Sequence, residues 1–224
     1  MRRAENSLKK LNKVHVPVFT VLGNIDWPEG DDIADMPKKR EKSMPNYDNE
    51  NRLAIILKKY KNIHRFDYSY LKFLGYIFIG MRGHSAPGKV KSKAFRKHKK
   101  ILEKLFKRFS KENQENRVIF VSHNIAHNTK LDKLSIKAEK FALKHFGGKN
   151  KIIKQRKRHY GSKMARRIID KYKPLLHLGG HIHESWGKDK LGKTILVNPG
   201  AVHEGKGAII ELECGKVKKI KFIR

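Results

Sequence analysis

Apolar residues along this chain fall in short runs whose spacing switches between a strand period and a helix period. Leu8 and Leu11, three apart among charges, predict the end of an exposed helix over residues 1–13. The run VPVFTVL, closing at Gly23, predicts a buried strand, and GNID at 23–26 follows its C-terminal end. Residues 27–50 are rich in Pro, Asp, Lys and Asn without a sustained period, which predicts a loop; a short helix is expected over 48–61. Strand-like runs follow at 68–74 and 75–80, with GMRGHSAPG after them as turn material. Residues 92–109 read as a basic amphipathic helix whose inner face is Phe95, Ile101, Leu102, Leu105 and Phe109. RVIFVSH at 117–123 is the clearest buried strand.

A helix is expected over 135–146, then GGKN as a breaker. A further helix at 163–172 turns Ala165, Ile168, Ile169 and Tyr172 inward and stops before Pro174. LLHLGG at 175–180 reads as a strand, HIHES follows it, and further strands are expected near 193–198, 207–212 and 216–223. Strands and helices alternate early and short strands cluster late, which predicts one α/β domain with layered sheets.

Composition narrows the function classes. The 224 residues carry 53 Lys+Arg against 21 Asp+Glu, a formal charge of +32. Such a field attracts nucleic acid and other polyanions non-specifically and in a salt-dependent way, but names no substrate. The most basic piece is 133–163, with 11 Lys/Arg against one Glu. The hydrophobic share of 38% suffices for a core and excludes wholesale disorder. No apolar run approaches the ~20 residues of a membrane span, and the charged start MRRAENSLKK is unlike a secretory leader. With one cysteine, Cys214, an internal disulfide is excluded, and a cytoplasmic location is expected.

Polar groups recur just past the C-terminal ends of the expected strands: Asn24, His123, and His181 with His183. That rim is where open α/β sheets bind ligands. Imidazole nitrogens and an amide oxygen suit a divalent metal of intermediate hardness, such as Mn, Fe or Zn. Gly179 and Gly180 give the backbone freedom to aim His181 and His183 into one small volume. Each fragment alone is weak, since a strand-end Asn is most often a turn former.

Taken in order, GNID, VSHN, GGHIHES and VNPG resemble the calcineurin-like metallophosphoesterases, in particular the archaeal-type, Icc-related predicted phosphoesterases. TKLDK at 129–133, HYGSKMARRIIDKYKPLLHLGGHIHES at 159–185, DKLGKTILVNPG at 189–200 and GAIIEL at 207–212 extend the likeness over most of the chain, with 134–158 reading as a basic insertion. The resemblance implies a layered α/β/β/α sandwich and a two-metal hydrolase of phosphate esters, monoester or diester. It also implies Asn24, His123 and His181 as ligands of a second metal and His183 as a ligand of the first. The turn Asn198-Pro199-Gly200 is expected to be structural.

The family's first two motifs, Asp-x-His and Gly-Asp, have no counterpart here. The 22 residues before Gly23 hold no Asp and only His15, so the expected sandwich lacks its first strand-helix-strand segment and the chain reads as truncated or degenerate at its N-terminus. Without a bridging carboxylate the four candidates are all neutral, and at most one ion is expected to be well held. Ile25 stands where many members place the His that protonates the leaving group; His127 and His159 are the candidates to replace it, and no catalytic residue is assigned. The leading expectation is a metal-dependent phosphoesterase, inactive if the truncation is real. The alternatives are a non-catalytic interaction module, as in a retromer subunit family resembling these enzymes, and a basic nucleic-acid binder or nuclease. Oligomeric state and membrane association receive no positive signal.

Overall fold

A strand that is apolar on both faces must be covered on both sides, and that requirement organises this chain. The structure is a computed structural model that describes residues 2–23, 57–83, 93–136 and 159–224. In chain order its elements are helix α1 (Arg2–Leu11) and strands β1 (Val18–Thr20), β2 (Ile63–Arg65), β3 (Tyr70–Phe73) and β4 (Tyr76–Met81). Helices α2 (Lys93–Arg108) and α3 (Ser110–Gln114) precede β5 (Val118–Asn124), and α4 (Lys163–Tyr172) precedes β6 (Leu176–Gly180). Strands β7 (Gly187–Leu191), β8 (Thr194–Asn198), β9 (Gly207–Glu213) and β10 (Lys216–Ile223) complete the set.

Six strands form the central sheet in the order β3-β4-β5-β6-β8-β7. The inner four run parallel and the two edge strands antiparallel to them. Alternation along β5 sends Val118 and Phe120 to one face and Ile119 and Val121 to the other. The first face, with Ile77, Ile79 and Met81 of β4, packs under Phe95, Leu102 and Phe106 of α2 and Ile168 and Ile169 of α4. The second face meets Ala208, Ile210, Val217, Ile220 and Phe222 of the antiparallel β9–β10 hairpin. Among the described residues the layers are therefore helices, a six-stranded mixed sheet and a two-stranded sheet, an α/β sandwich of the expected class. Large side chains such as Phe106 and Phe120 are fully buried and contribute about 1.5–3 kcal/mol each. No helix among the described residues is long and apolar enough to cross a membrane.

Several elements differ from the sequence expectation. The run 17–23 yields only the short half-buried β1, paired in parallel with β2 beside a small cluster of Leu22, Leu57 and Ile63. The inner face of α2 centres on Phe95, His98, Leu102 and Phe106, with Phe109 buried just past its end, whereas Ile101 and Leu105 are only half buried, so the buried stripe is turned slightly from the expected one. Strand β7 (GKDKL) was not expected: it carries one apolar residue, and its lysines sit on a sheet edge where charge discourages pairing with another chain. Helix α3 contains no apolar residue and had no periodic signal. The expected loop at 27–50, most of the helices at 48–61 and 135–146 and nearly all of the 134–158 insertion lie outside the described residues.

Helix α4 shows how local chemistry sets a boundary. Ser162 Oγ accepts the Ala165 N–H at 3.1 Å as an N-cap. Lys173 then turns left-handed (φ 49°) and its N–H closes on the Ile169 carbonyl, so the chain leaves the helix before Pro174 and enters β6.

Candidate functional site

The parallel strands β5, β6 and β8 all deliver their C-terminal ends to one rim, and the polar residues there come from three separate stretches of sequence. Between β5 and β6 the register shifts: Val121 faces Leu178, but Asn124 faces Gly180. The extra residue on β5 is a bulge at Ser122–His123, a device that re-aims a side chain at a strand end. Across it, β6 closes on the β5 exit. A Cβ at Gly179 would stand 2.8 Å from Ile125 Cα, so only glycine allows this approach. His181, just beyond, has φ 74°, a left-handed conformation costing a non-glycine residue roughly 1–2 kcal/mol.

That backbone brings His123 Nε2 to 3.1 Å from His181 Nδ1, with the rings 5.0 Å apart and steeply inclined. Both side chains are expected metal ligands, and the structure joins them although 58 residues separate them. The donor types fit a cation: imidazole nitrogens are ligands that a divalent ion such as zinc takes at about 2.0–2.1 Å. Asn24, the third expected ligand, and Ile25 beside it lie outside the described residues.

His183 starts the 3-10 turn His183–Ser185 and its recorded partners lie on a different stretch of chain. Its Nδ1 is 3.6 Å from Glu204 Oε1, and its ring lies 5.1 Å from that of His203. Lys206 Nζ donates to Glu204 Oε2 at 2.6 Å and to the His183 carbonyl at 3.4 Å. The Lys206 bond holds the Glu204 carboxyl below its ordinary range, so it is ionised. The turn itself is clamped by Asn198 at the end of β8. This fully buried amide donates to the carbonyls of Ile182 and Ser185 and accepts the Gly200 N–H. Asn198-Pro199-Gly200 therefore has a structural place beneath the His183 turn.

His127 and His159, the two candidate acids, both turn to Asp132. This carboxylate is fully buried, accepts the N–H groups of Asn128, Thr129 and Gly161, and meets His159 Nδ1 at 2.6 Å. His127 Nδ1 stands 3.6 Å from its other oxygen, and burial pushes the His127 pKa down against the pull of Asp132. The arrangement staples the TKLD turn to the start of the HYGS segment. A further histidine without sequence assignment, His177, lies fully buried in β6, stacked on Phe120 and 2.9 Å from Ser122 Oγ. Burial depresses its pKa to about 3, so it is neutral.

Sequence reasoning missed Glu204, which has no motif neighbour to advertise it, and named His203 only beside His127 and His159, as a histidine able to approach the site or equally to lie at the surface. At 71% exposed, the His203 side chain is at the surface, yet it lies beside His183 and Glu204. His64 packs its ring edge-on against Phe19 and has no place in either histidine group, while His84 lies outside the described residues.

Comparison with known proteins bears on the fold and on the C-terminal part of the chain. Residues 141–222 match the family model described as metallophosphoesterase, calcineurin superfamily. The matched segment contains His159, His181, His183, His203 and Glu204, and begins inside the stretch that reads as an insertion. A solved crystal structure superposes with a TM-score of 0.60 at 19% identity, covering 99% of this chain and 70% of its own, which establishes a shared fold. No curated protein matches in sequence.

Proposed function

We propose, from the premise that residues 141–222 are of the calcineurin-superfamily metallophosphoesterase type, that the chain is a metal-dependent phosphoesterase acting on a phosphomonoester or phosphodiester. The observation that carries this reading is the convergence of His123 and His181, 3.1 Å apart, at the ends of adjacent parallel strands. With Asn24 from the GNID turn they are the residues that would hold a cation, Mn, Fe or Zn, with His183 on the first-metal side. A divalent cation there supplies charge neutralisation for phosphate oxygens and makes water a nucleophile near neutral pH. The chain's own part is geometric. The β5 bulge and the left-handed His181 aim the two imidazoles, and the buried Asn198 amide fixes the turn that carries His183. His159 is hydrogen-bonded to Asp132 and His127 stands beside the same carboxylate, so in this reading they support the loop after β5 and the leaving-group acid is not among them.

The protein loaded with Mn²⁺ or Zn²⁺ is expected to hydrolyse bis-p-nitrophenyl phosphate or a p-nitrophenyl monoester, and His123→Ala and His181→Ala to abolish that turnover. A folded protein that stays metal-free after loading and inert toward both esters would sink the reading.

One observation favours a second role, attraction of polyanions. A cavity of about 440 Å³ between β7 and β10 is lined by Lys130, Lys188, Lys190, Lys218 and Lys219 around the single acid Asp189. Nucleic acid binding there is expected to weaken steeply with salt and to survive His123→Ala. Cleavage lost on His123→Ala would instead assign nucleic acid as a substrate.

A further inference from the structure

We propose that His183, His203 and Glu204 form a site for a divalent transition metal, with Glu204 as its anionic ligand. The proposal rests on the phosphoesterase reading through His183, and it supplies on this side of the rim the carboxylate that the four strand-end candidates lack.

The distances carry it. Glu204 Oε1 faces Nδ1 of His183 at 3.6 Å and Nε2 of His203 at 3.9 Å, and one donor atom from each residue lies within 4.8 Å of the others. These separations exceed a hydrogen bond. They are close to the ~3.4 Å edge of a tetrahedron whose metal–ligand bonds are ~2.1 Å. The three donor atoms are therefore near enough to share one ion and too far apart to satisfy one another by hydrogen bonds. Two imidazoles and one carboxylate leave a coordination position open, the make-up of three-ligand zinc sites.

The surroundings hold that geometry. Lys206 occupies Glu204 Oε2 and leaves Oε1 to the histidines, and the same ammonium reaches the His183 carbonyl, tying the two turns together. Gly205, left-handed at φ 73°, closes the 3-10 turn Val202–Glu204 by donating to the Val202 carbonyl. The Asn198 clamp fixes the other side. Lys206 is also a like charge to the metal and lowers affinity, yet it places a second cation beside any phosphate bound at the open position. All three donors are exposed, so metal and ester both have access.

The test uses the untagged, chelator-stripped protein without any ester. Zn²⁺ binding is followed by calorimetry and Co²⁺ binding by its visible spectrum. His203→Ala and Glu204→Gln are each expected to weaken one equivalent by at least about tenfold and to erase its four-coordinate Co²⁺ band. His123→Ala should leave that equivalent in place. Thermal melts of the metal-free variants confirm folding, since the altered side chains are exposed. Wild-type affinity and stoichiometry in both His203→Ala and Glu204→Gln, or no metal binding at all, overturns the proposal. If His123→Ala removes every equivalent while the other two variants bind normally, the strand-end reading survives and this one falls. If the pattern is reversed, the strand-end reading falls and this one stands.

Discussion

Asp132 and Glu204 are each flanked by two histidines, His127 and His159 for one, His183 and His203 for the other. Asp132 has no exposure, and three backbone N–H groups and the His159 ring occupy its oxygens. Glu204 is exposed, gives one oxygen to Lys206 and leaves the other at non-bonded distance from two imidazoles. A carboxylate between two imidazoles thus makes a structural staple in one place and an open donor set in the other. Burial with full hydrogen bonding decides the difference, because a buried charge persists only when its acceptor capacity is filled.

The comparison breaks first at Asp132. Asp132→Ala strands the N–H groups of Asn128, Thr129 and Gly161, the last two in buried residues, and is expected to cost about 3–5 kcal/mol in urea unfolding, without a direct effect on metal stoichiometry in whatever fraction stays folded. A loss well under 1 kcal/mol would refute the staple.

The buried histidine of β6 sharpens the rule by pH. His177 is held neutral with its pKa near 3, below its unfolded value near 6.5. Its contribution is complete above pH 6.5 and is lost as pH falls toward 3, at about 1.4 kcal/mol per pH unit within that window. Unfolding free energies at pH 7, 6 and 5 measure the slope, and His177→Phe should flatten it; an unchanged slope assigns the proton uptake to another group.

Gly161 donates to Asp132, and a Cβ there would lie 2.7 Å from the carbonyl oxygens of Ile125 and Ala126. Gly161→Ala is expected to destabilise by about 1–3 kcal/mol through overpacking against rigid backbone. The smallest structural effect belongs to Glu204→Gln, which should leave the metal-free urea midpoint where it was while removing its metal equivalent. A large fall in midpoint would make Glu204 a second staple.

Much of the scaffold was legible because its strands are continuous apolar runs closed by turn residues: β4, β5, β6, β8, β9 and β10 lie where VIFVSH, LLHLGG and their neighbours place them. The strand β7 was not, since an edge strand faces water and keeps lysines instead of an apolar pattern. At the rim, His123 and His181 were legible from their places after apolar strands, and the structure brings them together. Glu204 and His203 were not, because a ligand set assembled from two surface turns leaves no period to read.

The sequence by itself determined the apolar runs, and with them the α/β class and the identity of the strand-end histidines. It also determined where the backbone can approach closely, at Gly161 and Gly179. Only the tertiary structure decided which histidine meets which carboxylate. Strand ends are placed by local hydrophobic pattern, whereas the partners of His159 and His183 depend on turns packed together from positions 27 and 23 apart in sequence, through bonds to Asp132 and Lys206. Long-range packing sets that proximity, and with it the division between a filled, buried carboxylate and an open one.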